Sequence, residues 1–191
     1  MVYRENLMAD AEEWAAKLFA SRIRLLKKEY EKAERREEVK SVFLKLFMQW
    51  GKQTEAEAAS MGICYLHSDI LMRTGEMRLS LYGKEFYMDD EQLELTWTLP
   101  YFFHMYEQDM VEIIGRLQKE YPRIYPYEKD ALRYQYAEYY YAAIAALCRD
   151  MLGEIRNSEA YRRLNKTDDF FFFFGRWRGE AEKLEGVCEY V

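Results

Sequence analysis

The chain has 191 residues, half of them hydrophobic, and a formal net charge of −6. This composition excludes a disordered chain, because one domain of this size can bury a sizeable core. The negative charge disfavours nucleic acid as a partner, since nucleic-acid binding depends on cations that neutralise phosphates. The N-terminus lacks the pattern of a secretory signal, and the three cysteines are odd in number, so we expect a cytoplasmic protein with reduced thiols.

The first fifty residues predict two helices. They contain no proline or glycine, and apolar residues recur every three or four positions from about residue 5 to residue 50. Between Lys27 and Glu38 every residue is charged except Tyr30 and Ala33. Because one continuous helix would be about 70 Å long, we expect the chain to turn back in this stretch and form a helical hairpin over residues 5–50.

The next segment predicts a helix followed by a small sheet. A third helix is expected from Thr54 to Met72, with Gly75 suited to end it. The apolar period then changes from helical spacing to strict alternation, first over 76–82 and again over 93–99. With a short strand at 85–88 between these two, the pattern predicts an antiparallel meander over about residues 76–99.

Helical patterning returns from Tyr101 to Tyr121 and stops before Pro122. A long central helix is predicted over about residues 128–156. It is expected to be buried on several sides, because its middle is apolar almost all round and rich in tyrosine and alanine. A last short helix is expected at 180–184.

Five consecutive phenylalanines, Phe170 to Phe174, predict a strand buried on both faces. The run is far shorter than the ~20 apolar residues of a membrane-spanning helix, so no membrane association is expected. We interpret it as a candidate fourth strand of the small antiparallel sheet. The sequence thus predicts a single α+β domain over residues 1–191, predominantly helical, with about five to six helices.

Motifs for cofactors, metals and catalysis are weak. The glycine patterns of nucleotide-binding loops and of serine hydrolases are absent from the sequence. His67 follows Cys64 by three residues and His104 precedes Glu107 by three, but no second ligand pair completes either set. We therefore expect no metal and no cofactor.

The distribution of charge favours a binding protein rather than an enzyme. Residues 61–130 contain seven Lys and Arg against 13 Asp and Glu, which accounts for the whole net charge of −6. We expect a non-catalytic protein that binds another protein through an acidic and aromatic surface, for example an inhibitor or immunity-type partner of a basic protein. The candidate binding residues are Tyr82, Tyr87, Asp89, Asp90, Glu91, Glu94 and Trp97.

An enzyme or small-molecule binder is the alternative interpretation. It requires a helix-lined, tyrosine-rich pocket in which polar groups converge. The candidate pocket residues are His104, Glu107, Arg133, Tyr136 and Tyr140.

Overall fold

A computed structural model describes residues 2–88 and 92–185 of the chain. Within these residues it has six α-helices, one 3₁₀ turn and five strands. The helices are α1 (Val2–Tyr30), α2 (Ala33–Gln53), α3 (His67–Met72), α4 (Pro100–Glu120), α5 (Pro126–Arg156) and α6 (Glu159–Arg163). The strands are β1 (Ala58–Tyr65), β2 (Glu76–Tyr82), β3 (Gln92–Thr98), β4 (Lys166–Arg176) and β5 (Ala181–Leu184).

The predicted α+β class is confirmed, with one correction to the sheet. Its strand order is β3-β2-β1-β4-β5, and β4 is the phenylalanine strand that the sequence predicted. The sheet is mixed rather than purely antiparallel, because β4 runs parallel to β1 while the other three pairings are antiparallel. A parallel neighbour requires a long crossover, and one hundred residues, 66–165, separate β1 from β4.

The chain divides into two compact units. The first unit comprises Met1–Tyr30, His67–Gly75 and Leu99–Ile144, and the second comprises Glu31–Leu66, Glu76–Thr98 and Ala145–Val191. The first unit is helical, and α1 packs on α4 and α5 through Phe19, whose ring lies 5.4 Å from that of Tyr140, and through an ion pair from Arg22 to Asp109. The second unit contains the whole sheet.

Helices of the second unit cover one face of the sheet, which we call the helical face. From α2, the ring of Phe43 lies 5.9 Å from Trp97 of β3. From α6, the ring of Tyr161 stacks 6.0 Å from Phe172 of β4. Both Phe172 and Trp97 are buried, and this face forms the main core of the second unit.

Three local predictions are wrong. The segment expected as a helix from Thr54 to Met72 is instead β1 followed by the short α3. Six of the eight residues of β1 are buried, which a strand inside a sheet permits and an amphipathic surface helix does not. The expected strand at 85–88 is a 3₁₀ turn at Phe86–Met88, and the expected helix at 180–184 is β5, held by pairing with β4.

The other helix predictions are confirmed. The central helix is α5, which begins at Pro126, and the helix after the sheet is α4, with Pro100 in its first turn. Helix α1 ends at Tyr30 and α2 begins at Ala33, inside the charged stretch where a turn was expected. The hairpin pairing of these two helices stays a prediction.

Candidate functional site: the aromatic face of the sheet

The face of the sheet opposite the helical face carries a cluster of aromatic rings. The strand register places Phe171 and Phe173 beside Ser60 and Gly62, and places Tyr82 beside Ser60 from the other side, so these side chains point the same way. We call this surface the aromatic face. It is formed by Cys64, Tyr82, Phe86, Phe171, Phe173 and Trp177.

Phe173 lies at the centre of the aromatic face. Its ring centroid is 5.6 Å from that of Phe86 and 6.1 Å from those of Tyr82 and Phe171. The ring also crosses Gly62, because a Cβ atom at that position would lie 2.4 Å from Cζ of Phe173. A glycine in β1 therefore allows the ring to lie flat against the sheet.

The aromatic face has a buried floor and a partly exposed surface. Tyr82 and Phe173 are 0% and 5% exposed, whereas the rings of Phe86, Phe171 and Trp177 are only partly buried. Partly exposed aromatic rings over a packed floor resemble the centre of a protein–protein interface, where aromatic residues are enriched.

Cations surround Trp177 at one end of the aromatic face. The guanidinium groups of Arg78 and Arg178 lie 5.8 and 4.5 Å from the centroid of the indole ring. The backbone N–H of Trp177 donates to the carbonyl of Tyr65 at 3.0 Å, which fixes the loop after β4. Cations over an indole face are attracted by its quadrupole, so this end is basic and ordered.

The opposite end, where β1 and β4 begin, is acidic. Nζ of Lys84 lies 2.6 Å from Oε2 of Glu57. The hydrogen bond to Glu57, with a further contribution from the charge of Asp169, raises the pKa of Lys84. Asp168 and Asp169 are both exposed in β4. The aromatic face therefore lies between an acidic end and a basic end.

The residues predicted for the binding surface differ in their exposure to solvent. Tyr82 and Trp97 were expected as exposed anchors, and this is corrected by their burial at 0% and 5% exposure. Alternation along the strands places them on opposite faces, and both faces are covered at those positions. Glu94 is exposed and accepts hydrogen bonds from Arg78 and Gln92, and its role in binding stays a prediction.

The remaining members of that set are not described. Asp89, Asp90 and Glu91 lie outside the described residues, as does the side chain of Tyr87.

Two of the alternative pocket residues belong to a buried hydrogen-bond network around Asp109. The carboxylate of Asp109 is 0% exposed and accepts from the hydroxyls of Tyr136 and Tyr140 at 2.7 and 2.6 Å. Its other oxygen accepts from Nε of Arg22 at 2.6 Å. Burial, followed by the hydrogen bond to Asp109, raises the pKa of both tyrosines, so they stay neutral donors.

The other three pocket residues lie apart from this network. Arg133 is buried, donates to the carbonyl of Ile70 at 2.9 Å and pairs with Glu107. His104 is exposed, and its Nε2 lies 3.0 Å from the amide nitrogen of Gln108. The five predicted pocket residues thus divide between a buried network, an ion pair and the surface, and their polar groups do not converge on a common space.

The cavities lined by described residues agree with this separation. A cavity of about 10 Å³ in the first unit borders Tyr136 but none of the other four pocket residues. An open groove of about 870 Å³ in the second unit is lined by charged residues of α2 and α5. Its central cation, Arg36, is held by Asp150 at 2.7 Å and by Glu154 at 2.6 Å, so the groove's charges are largely compensated internally.

The described part of the chain shows no activated thiol and no cluster of metal ligands. Cys64 and Cys148 are buried free thiols, and burial raises the pKa of each to about 12, which removes the thiolate at neutral pH. No group of three or more His, Cys, Asp and Glu among the described residues is placed to hold a metal ion. The helices of the described ranges also lack the combination of length and apolarity needed to cross a membrane.

No family model matches the chain, and no curated protein or solved structure is detectably similar to it.

Two features of the structure were missed in the sequence, although signals for them exist. Asp109 lies on the apolar stripe of α4, four residues after Met105 and four before Ile113, a position where an acid must find internal donors. Phe171 shares a parity with Phe173, and both precede the turn that carries Trp177. That parity was visible, but the strand pairing that places these two rings on the same face as Tyr82 was not.

Proposed function

We propose that this chain is a non-catalytic interaction protein that binds another protein through the aromatic face. The observation that carries the proposal is the partial exposure of Phe86, Phe171 and Trp177 over the buried floor of Tyr82 and Phe173. Rings held this way lose little conformational entropy on binding, because they are already packed against neighbours.

The polar groups elsewhere support binding over catalysis. An active site needs a nucleophile, acid or base that is free to meet a substrate. In the first unit, Tyr136, Tyr140 and Arg22 donate to Asp109 inside the core, and the two described thiols are buried and protonated. These groups stabilise the helices, and their internal hydrogen bonds leave little capacity for chemistry.

The charges around the aromatic face suggest the kind of partner. The acidic end, where Asp168 and Asp169 are exposed, fits a basic partner of the kind that the sequence favoured. The basic end, where Arg78 pairs with Glu94 and Arg178 lies over Trp177, is compatible with an acidic group on the same partner. We therefore propose a partner with an apolar centre and charges of both signs, and a cytoplasmic location, which suits the free thiols.

A comparative capture experiment tests the proposal. The purified chain and its Phe171→Ala and Trp177→Ala variants are immobilised in equal amounts and exposed to extract of the source cell, and retained proteins are quantified by mass spectrometry. We expect at least one protein to be retained by the parent and reduced roughly ten-fold or more by each variant, as for truncation of an interface anchor.

A matched control distinguishes the loss of an aromatic-face ring from the loss of apolar surface elsewhere on the chain. Val111 on α4 is 73% exposed, and Val111→Ala removes apolar surface from a different part of the chain. Retention of the same proteins in equal amounts by the parent, by both aromatic-face variants and by Val111→Ala would contradict the proposal.

A further inference from the structure

The strand β3 forms an edge of the sheet without the usual protection. Among the described strands it pairs only with β2, and that pairing continues without a bulge over all seven residues from Gln92 to Thr98. It contains no proline and no lysine, which natural edge strands use to prevent pairing with another chain. Its single charge, Glu94, is engaged by Arg78 and Gln92.

Apart from the buried Trp97, the side chains of β3 are at least partly accessible. Glu94, Thr96 and Thr98 are exposed, and Leu93 and Leu95 are only half-buried. Two half-buried leucines on an open edge are an unusual arrangement, because a soluble protein rarely leaves a regular apolar edge strand unpaired.

The sequence of β3 is complementary to itself in antiparallel orientation. If two copies pair about Leu95, each Leu95 lies opposite the other, and Leu93 lies opposite Trp97 on the helical face. On the aromatic face, Glu94 lies opposite Thr96, and Gln92 opposite Thr98. Apolar residues thus meet apolar residues and polar residues meet polar ones, with no like charges opposed.

We propose that β3 pairs with β3 of a second copy of this chain, antiparallel and centred on Leu95, so that the two sheets become continuous through a two-fold axis. This inference depends on the edge strand and not on the proposed function of the aromatic face. Seven-residue strands bury less than a standard interface of about 1,200–2,000 Å². We therefore expect a reversible dimer with a dissociation constant of roughly 1–100 µM.

Two substitutions at Thr96 are expected to change the dissociation constant of the dimer in opposite directions. In the proposed dimer, Thr96→Glu places a carboxylate opposite Glu94 twice, whereas Thr96→Lys places an ammonium group opposite Glu94 twice. Sedimentation equilibrium of the full chain over roughly 1–300 µM measures the dissociation constant. We expect Thr96→Glu to raise it and Thr96→Lys to lower it, each by roughly 2- to 30-fold.

The same substitutions act in the opposite sense inside one copy. Arg78 of β2 lies directly opposite Thr96. Within a copy, Thr96→Glu therefore places a carboxylate where Arg78 attracts it, and Thr96→Lys places an ammonium group where Arg78 repels it. At protein concentrations below the range in which the dimer forms, the urea midpoint of the glutamate variant should equal or exceed that of the lysine variant. A change in folding stability cannot produce the expected order of dissociation constants.

Three results would overturn the inference. The first is that the parent chain stays monomeric over the whole concentration range. The second is that the dissociation constant of the dimer is the same in the parent and both variants. The third is that Thr96→Lys weakens the dimer and Thr96→Glu does not. The capture experiment uses variants of Phe171 and Trp177, so failure of the dimer and failure of the proposed function are distinguishable.

Discussion

Removal of the Phe172 ring is expected to be among the costliest single changes in the second unit. The side chain is 0% exposed, and its ring lies 5.3 Å from Phe170 and 6.0 Å from Tyr161 of α6. Phe172→Ala loses the transfer free energy of the ring and leaves a cavity between a helix and the sheet. We expect the free energy of unfolding to fall by about 3–5 kcal/mol.

Phe173→Ala provides the comparison from the other face of the same strand. Phe173 is 5% exposed, but two of its neighbours, Phe86 and Phe171, are partly exposed and have room to move into the space left behind. Because the cost of a cavity depends on how well the site collapses, we expect a loss at the low end of the range for phenylalanine, about 3 kcal/mol.

Equilibrium unfolding in urea, followed by circular dichroism, measures both losses. Val111→Ala serves as the control, and as an exposed substitution it should change the free energy of unfolding by less than about 0.5 kcal/mol. The assignment of Phe172 and Phe173 as buried on opposite faces of β4 fails if Phe172→Ala costs less than about 1 kcal/mol, or if Phe173→Ala matches the control.

Two further predictions concern buried polar groups and thiols. Asp109→Asn should lower the free energy of unfolding by about 2–3 kcal/mol, because Arg22 loses the buried carboxylate to which its Nε donates and keeps only the longer ion pair with Glu112. Tyr136→Phe should cost about 1 kcal/mol, and equal urea midpoints for the two variants would contradict the network. The second prediction uses a variant in which the third cysteine is removed by Cys188→Ser. At pH 8, Cys64 and Cys148 of the folded protein should react with a thiol reagent at least about 100-fold more slowly than after unfolding, because a pKa of about 12 leaves little thiolate. Rapid labelling of the folded protein would contradict the burial of these two thiols.

The parts of the fold that were predicted from sequence are those with a strong local period. Helix α4 repeats apolar residues every three or four positions over 21 residues, the middle of α5 is a long apolar run without a breaker, and β2 and β3 alternate strictly. The phenylalanine strand was equally clear, because five adjacent β-favouring rings are typical of a strand covered on both faces.

Strand β1 shows why the rest was not predictable. Its buried run from Met61 to Cys64 has no period of its own, since both faces are covered, and a short apolar run fits a helix as well as a strand. Its identity depends on β4, whose sequence lies more than one hundred residues away, and the parallel register between them has no local signal.

The candidate site depended on the same long-range information. The sequence identified aromatic residues near the acidic segment, but only the register shows that Tyr82 forms a buried floor and that Trp97 points to the helical face. The partly exposed rings of Phe86 and Trp177 lie on two loops far apart in the sequence, and both pack against the cluster that contains Phe173 only in the folded sheet. Proximity in sequence therefore identified two strands of the sheet but not which of their aromatic rings are buried.

Site-specific photo-crosslinking in the source cell tests the central claim most directly. A benzophenone side chain is introduced at Phe171 on the aromatic face and, in a matched variant, at Val111 on α4, and adducts are identified after irradiation. The proposed function predicts an adduct between position 171 and a protein other than this chain, with no such adduct from position 111. Absence of any adduct from position 171, or the same adducts from both positions, would contradict binding through the aromatic face.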